Sequence, residues 1–462
     1  MPLVKICRVH SIEEARLFSW MGVDFIGLHA IDGADDERTN LLGSVCRASS
    51  SRKSRIPTVL LTKMRDTSSI VRMVTEIRPD YLQLHAPWSH DDVERVRRAL
   101  DAGYDHDIGL ITLVDPSEPH SVALVEQLSA TSDYVLIDHY RGGTGQGHST
   151  THLDALFGAR PRVPLFLAGG LTPINVAGAV TDFGPYAVDV QSGVEGPGSK
   201  VKSPQLVRNF VSAAKNKSAT FIRPPRDSPL VVMSLTDASI ETLEPLVRTT
   251  AAAIDMYHID FSDGSMIPSF GFSSVEIARQ LSLNARYTPY DLHVFSKRPD
   301  AAKIITEHVG SNTLMRAAYL HFSGDENLDS FRRIALEWAS ECRLLGVEPG
   351  LALQANRDTL NQWDGVASII YNFEIAEISV VGPGPEKTVT EYAERVSPVL
   401  RRLRDLDKEK KLFGIAIDRL ITVEKVLAVK KLRPSRVISG AAIHGSSDPL
   451  AAIEQFRSAI SC

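Results

Sequence analysis

Two sets of side chains in this sequence stand where they could move protons. In the second half, His258 and Asp260 close the apolar run DMYHIDF, His293 closes the core of YDLHVF, and Asp418 closes KLFGIAID. Alternate residues of an extended segment face the same way, so His258 and Asp260 point together. Two imidazoles and two carboxylates at neighbouring strand ends suit one divalent ion, Zn²⁺, Fe²⁺ or Mn²⁺. Such a cation would acidify a proton next to a carbonyl. A lone strand histidine is commonly a satisfied core residue; four such groups at three strand ends favour the metal. In the first half, Cys7 closes VKIC and Asp138 closes YVLID. Cys7 reads as a small buried hydrophobe unless neighbouring groups lower its pKa, in which case its thiolate can serve as a base.

Three glycine-bearing stretches follow apolar runs in the first half: Arg141 to Gly147, Ala168 to Pro173 and Gln191 to Glu195. Glycines let backbone N–H groups approach an anion, and the loops after strands seven and eight are where a barrel binds phosphate.

The elements that must carry these residues follow from the alternation of short β-branched runs with longer amphipathic stretches. VKIC, DFIGLH, PTVLLT, YLQLH, DIGLITLV, YVLID, VPLFLAG and YAVDVQSG make eight strands before residue 200. PLVVMSL, DMYHIDF, YDLHVF, LMRAAYLHF, VEPGLAL, AEISVVG, KLFGIAID and RVISGAAI make eight more. Between them a polar, proline-bearing stretch reads as a linker. The expected organisation is α/β: two tandem (β/α)8 TIM barrels, over 1–216 and 230–462, joined by 217–229. A doubly wound sheet is the alternative, disfavoured because it seldom needs so many successive crossovers.

Bulk properties agree. The 462 residues exceed one hydrophobic core, and 43% hydrophobic with 23% charged residues is an ordinary globular balance. The formal charge of −5 comes without a basic stripe, which argues against nucleic acid or an anionic membrane and for small-molecule chemistry. Cys7, Cys46, Cys342 and Cys462 show no CxxC spacing, so a disulfide framework is not expected. The start MPLVKICRVH lacks the pattern of a secretory signal, and no apolar stretch approaches the ~18 residues of a membrane span, so the cytoplasm is the expected compartment.

VKICRVH, LQLH, LIDHYRGGTGQG, LAGGLTPINV and VDVQSGVEGPGSKVK stand in the order and spacing of phosphoribosylanthranilate isomerase. The first half resembles that family over residues 3–215. The resemblance implies an Amadori rearrangement of an N-phosphoribosyl amine without a cofactor. It implies Cys7 as the base at C2′, Asp138 as the acid at the ring oxygen, and Gly143, Thr144, Gly169, Gly170, Ser192 and Gly193 around the phosphate. The family's glycine after the cysteine is Arg8 here, and its Ser-Pro-Arg, which faces the anthranilate carboxylate, is replaced by Gly33 through Arg38. Arg38 and Arg8 are the candidates for the missing cation.

The second half resembles ribulose-phosphate 3-epimerase over residues 229–460, through Met233-Ser234-Leu235, HIDFSDGSMIP, YDLHVF, AIDRL and Ser439 to Ile443. The resemblance implies that His258, Asp260, His293 and Asp418 hold the metal while Asp260 and Asp418 exchange the C3 proton, with Ser234, Gly440 and Ala441 at the substrate. Here the family's paired glycines become Arg419 and Leu420, and its methionines near the metal become Ser262, Phe295 and Ile378. The expected partners are phosphosugars, with homo-oligomerisation left open. The two halves read as a bifunctional isomerase and epimerase acting in sequence, as two independent housekeeping enzymes, or as a non-catalytic phosphosugar-binding protein.

Overall fold

The computed structural model describes the chain except residues 52–54, 104–105, 140–149, 218–219, 226–228, 237, 239, 271–272, 383, 385–387, 408–411 and 462. The chain divides into two compact units, Met1–Thr220 and Phe221–Cys462. In the first, β1 (Leu3–Ile6), β2 (Phe25–His29), β3 (Thr58–Thr62), β4 (Tyr81–Leu84), β5 (Gly109–Val114), β6 (Tyr134–Ile137), β7 (Leu165–Leu167) and β8 (Ala187–Val190) close in order into a parallel barrel. In the second, β9 (Leu230–Ser234), β10 (Met256–Ser262), β11 (Tyr290–Phe295), β12 (Met315–Phe322), β13 (Glu348–Gln354), β14 (Glu377–Val381), β15 (Gly414–Asp418) and β16 (Arg436–Ser439) do the same. Helices separate the strands, and both units are (β/α)8 TIM barrels. Every apolar run read from the sequence is a strand.

Local chemistry sets the element ends. Helix Pro204–Ala214 has proline in its first turn, and Ser203 Oγ accepts from Leu206 N at 3.4 Å. Beyond it, the Thr220 carbonyl accepts from Arg208 Nε at 3.1 Å and Nη2 at 2.8 Å, and Ile222 is buried. The described residues around the unit boundary are thus packed and hydrogen-bonded despite their polar, proline-bearing composition. Among the described residues no helix is long and apolar enough to cross a membrane, and Cys7, Cys46 and Cys342 are free and buried.

The two barrels fill their interiors differently. The first is plugged by aromatic rings: Phe25 meets Tyr81 edge-on at 5.6 Å and Phe166 at 5.5 Å, and Tyr134 lies 4.9 Å from Phe166. Each such pair contributes about 0.5–1.5 kcal/mol beyond its area. The second is plugged by charge. Arg316 grips Asp291 with two bonds of 2.8 and 2.6 Å, reaches Glu377 Oε1 at 2.7 Å, and shares Glu377 with Arg436. These four side chains are buried, so their stability depends on completeness of pairing. Both plugs leave the strands' C-terminal ends free to carry chemistry.

Candidate active sites

The first barrel's mouth holds a cavity of about 510 Å³ whose walls include Cys7, Asp138, Gly169, Gly170 and Ser192. Cys7 follows β1 and is buried; its Sγ lies 3.1 Å from His29 Nε2 and accepts from Lys5 Nζ at 3.6 Å. Lys5 in turn donates to Asp189 Oδ2 at 2.7 Å. Burial pushes the Cys7 thiol up to about 11, against the opposing charge of Lys5. Burial lowers His29 to about 3. Burial opposes the charge on Lys5 as well, but the Asp189 carboxylate more than offsets it and holds the amine above its ordinary value.

Asp138 follows β6 and accepts the backbone N–H of His139 at 2.8 Å. Burial raises its carboxyl to about 6. A carboxyl that keeps its proton near neutrality is suited to donate it.

The floor of the cavity comes from the loops after β7 and β8. Gly169 and Gly170 have φ of 89° and 64°, a region where side chains are strained. Asn175 fixes that loop, accepting from Thr172 N at 2.7 Å and donating to the Gly170 carbonyl at 2.9 Å. Gly193 packs so closely on the Leu171 carbonyl that a Cβ would overlap it. Gly143 and Thr144 lie outside the described residues.

Arg8 and Arg38 both line the cavity. Asp35 Oδ1 caps the helix carrying Arg38, at 2.8 Å from Arg38 N, and Arg38 Nη2 donates to the His29 carbonyl at 3.2 Å. Burial and the neighbouring charge of Arg8 lower the Arg38 guanidinium. The loop bearing Arg8 is pinned where Glu14 Oε2 accepts from His10 N at 2.6 Å and Ser11 Oγ accepts from Glu14 N at 3.2 Å.

In the second barrel, Asp260 Oδ1 lies 3.2 Å from both His258 Nε2 and His293 Nδ1. Asp418 Oδ2 lies 3.8 and 3.7 Å from the same two nitrogens. Burial alone would lower His258, but Asp260 and Asp418 hold it up to about 9. Burial works against the Asp260 charge, yet His258 and His293 hold its carboxyl well below the usual range; Asp418 is raised by burial. The donor set fits a divalent ion: ligand atoms of His258, His293 and Asp418 lie within 4.8 Å of one another, Asp260 Oδ1 lies beside both imidazoles, and the buried His293 Nδ1 has no hydrogen-bond partner.

Two further groups belong to this centre and are not singled out in the sequence, His321 and Thr236. His321, at the end of β12, has Nδ1 3.0 Å from His293 Nε2. Thr236 Oγ1 donates to Asp260 Oδ2, and Ser234 Oγ is 3.1 Å from Thr236 Oγ1. Gly440 packs against Ser234, while Ala441 opens the short helix Ala441–His444. In the first barrel the groups passed over are Lys5, His29 and Asp189. His29 and His321 each stand at or near the C-terminal end of an apolar run, the position that marks Cys7 and His293, so that rule could have found them. No comparable signal marks Lys5 or Asp189, whose pairing needs the closure of β8 on β1.

Comparison with known proteins bears on residues 4–213, which match the family model for N-(5'phosphoribosyl)anthranilate (PRA) isomerase. The N-(5'-phosphoribosyl)anthranilate isomerase of Haloferax volcanii is 32% identical over 219 residues, covering 46% of this chain and 94% of that protein. The enzyme of that name from Rubrobacter xylanophilus is 31% identical over 222 residues, covering 47% of this chain and all of that protein. The crystal structure of phosphoribosyl anthranilate isomerase from Thermus thermophilus aligns with 22% identity over 46% of this chain and 98% of that chain, at a TM-score of 0.38. With a five-motif order, a closed first barrel and relatives covered nearly end to end, the chain belongs, through residues 4–213, to the N-(5'phosphoribosyl)anthranilate isomerase family.

Proposed function

We propose that the chain is a bifunctional sugar-phosphate isomerase. The first barrel performs an Amadori rearrangement of an N-(5-phosphoribosyl) amine of the anthranilate type. The second performs a metal-dependent C3 epimerisation of a ketopentose 5-phosphate, either ribulose 5-phosphate or the first barrel's own product. The observation that carries the reading is the convergence in one cavity of Cys7, Asp138 and the Gly169–Gly170 floor.

Asp138 gives its proton to the ring oxygen, and the C1′–O bond breaks. The Cys7 sulfur takes the C2′ proton, leaving an enolamine that becomes the 2-ketone with a C1′ amine. Gly169, Gly170, Ser192 and Gly193 hold the phosphate through backbone N–H groups. Arg8 or Arg38 meets a negative charge on the amine's substituent.

In the second barrel His258, Asp260, His293 and Asp418 would hold the metal, which supplies positive charge beside the carbonyl. Asp260 and Asp418 hold and return the C3 proton. Thr236 orients Asp260 by its hydrogen bond, and His321 orients His293, as outer partners of metal ligands generally do. The product of the first reaction, a 2-ketone with a C3 hydroxyl, is the arrangement the second reaction needs, which supports action in sequence.

The test is incubation in D₂O with candidate phosphosugars, following deuterium at C1 and C3 of the ketone product. Cys7→Ser should silence only the label at C1 and Asp260→Asn only that at C3. Metal content should approach one ion per chain and be lost in His293→Ala. Exchange at neither carbon in the wild-type chain would leave a phosphosugar-binding protein without catalysis.

A further inference from the structure

We infer that His29 is the proton acceptor of Cys7, so that the base of the first barrel is a thiol–imidazole pair and not a lone cysteine. The inference rests on the assignment of Cys7 as the base. Its geometry comes from β1 and β2. Ile6 pairs with Ile26 across the two strands, so Cys7 comes level with Gly27. A Cβ on Gly27 would stand 2.8 Å from Cys7 Sγ and 3.0 Å from its Cα, so the absence of a side chain there is what admits the sulfur. Two residues further on, His29 projects from the same face as Gly27 and places Nε2 3.1 Å from Sγ.

A lone buried thiol is a poor base, as the rise of Cys7 to about 11 expresses. A lone buried imidazolium is equally disfavoured, as the fall of His29 to about 3 expresses. Both shifts measure the cost of one isolated charge. A proton hop from Sγ to Nε2 makes two opposite charges at once, in contact, with no change in net charge. Lys5 faces the sulfur from the other side and favours the thiolate. The other charged or titratable groups acting on the pair are Arg8, His85, Asp189 and Lys202; Asp189 is engaged by Lys5, and Lys202 by Glu195 at 2.9 Å.

In the step, the S–H bond breaks, an N–H bond forms at Nε2 and the electron pair stays on sulfur. The thiolate takes the C2′ proton and later delivers it to C1′ of the enolamine. The enol hydroxyl's proton recharges Asp138, and the proton on His29 returns to sulfur. The cycle closes without an outside reactant.

The test is alkylation of the full-length protein by iodoacetamide, followed peptide by peptide so that Cys46, Cys342 and Cys462 are read separately from Cys7. In a pair, the fraction present as thiolate and imidazolium is independent of pH between the two titrations. The wild-type Cys7 rate should therefore be level between about pH 6 and pH 9. In His29→Ala and in His29→Gln, which keeps the bulk, the rate should climb about tenfold per pH unit and be on the order of 100-fold lower at neutrality. With substrate, kcat should fall in both variants while KM changes little. A wild-type rate that climbs as steeply as the variants' overturns the inference, and the wild-type profile decides even if both variants misfold. A level, His29-dependent profile in a chain that incorporates no deuterium at C1 would keep the pair and remove the assigned isomerisation. Cys7-dependent exchange with a steep wild-type profile would do the reverse.

Discussion

Single residues at the two mouths carry backbone that glycine most easily adopts. Arg8 has φ of 64°, and Arg419 and Leu420 have φ of 77° and 51°, so bulky side chains stand at three left-handed positions beside the two centres. Such a residue costs about 1–2 kcal/mol, which surrounding contacts must offset. Arg8→Gly should leave stability within about 1 kcal/mol, since relief of strain is balanced by a freer unfolded chain. It should raise KM about tenfold for an amine bearing a carboxylate and leave a neutral amine unaffected, as steady-state kinetics would reveal. The Asp138 carboxyl, raised by burial to about 6, must be protonated to act, so kcat/KM for isomerisation should fall as pH rises through about 6. Asp138→Asn should abolish that limb and lower kcat by about 10²–10⁴. At this scale the strand-end rule picks out Cys7, Asp138, Asp260, His293 and Asp418, with His258 added as the alternate neighbour of Asp260 on β10. Applied evenly it would also have picked His29 and His321, which stand at or next to the ends of their strands, although the contacts of 3.1 and 3.0 Å that give them a role lie across neighbouring strands.

Among the elements, the strands were the most legible part of the molecule. Barrel strands are buried on both faces, as in the fully buried Met315–Phe322, so they stand out as β-branched runs between amphipathic stretches. The contents of the barrels were not legible. An arginine at position 316 or 436 reads as a surface residue until β11, β12, β14 and β16 bring Asp291 and Glu377 against it. The packing of Thr220 and Ile222 was equally hidden, since a polar, proline-bearing segment looks the same whether it is tethered or docked. The ionic plug makes a clear prediction. Glu377→Gln removes the carboxylate shared by two buried guanidinium groups and should destabilise the second barrel by about 3–5 kcal/mol. Urea unfolding should show the lower midpoint, and C3 exchange at low denaturant should persist, because Glu377 opens β14 while the proton-exchanging Asp260 and Asp418 lie toward the C-terminal ends of β10 and β15.

For the whole molecule, the question is what two barrels in one chain accomplish together. Each proposed site draws all its residues from its own unit: Cys7 to Ser192 for the first cavity, His258 to Asp418 for the second centre. Among the described residues neither proposed site takes side chains from the other unit, so the intermediate is the link between them that the proposed chemistry supplies. An arginine stands beside each centre, Arg8 in the first cavity and Arg419 where its charge acts on His321 in the second. A substituent with negative charge, kept on the amine through the first reaction, would meet a cation in both. Covalent linkage then raises the local concentration of the intermediate only modestly, to the millimolar range at most for a short flexible tether. An equimolar mixture of Cys7→Ser and Asp260→Asn chains should therefore still convert the N-phosphoribosyl amine to the epimerised ketone. It should do so after a lag that lengthens on dilution, whereas the wild-type chain should show a shorter lag. Following both ketones by chromatography during the first turnovers distinguishes the cases. Accumulation of the unepimerised ketone by the wild-type chain would mean that the second barrel serves a different phosphosugar. A mixture that stalls, although each variant keeps its own deuterium exchange, would mean that the intermediate passes between barrels without entering bulk water.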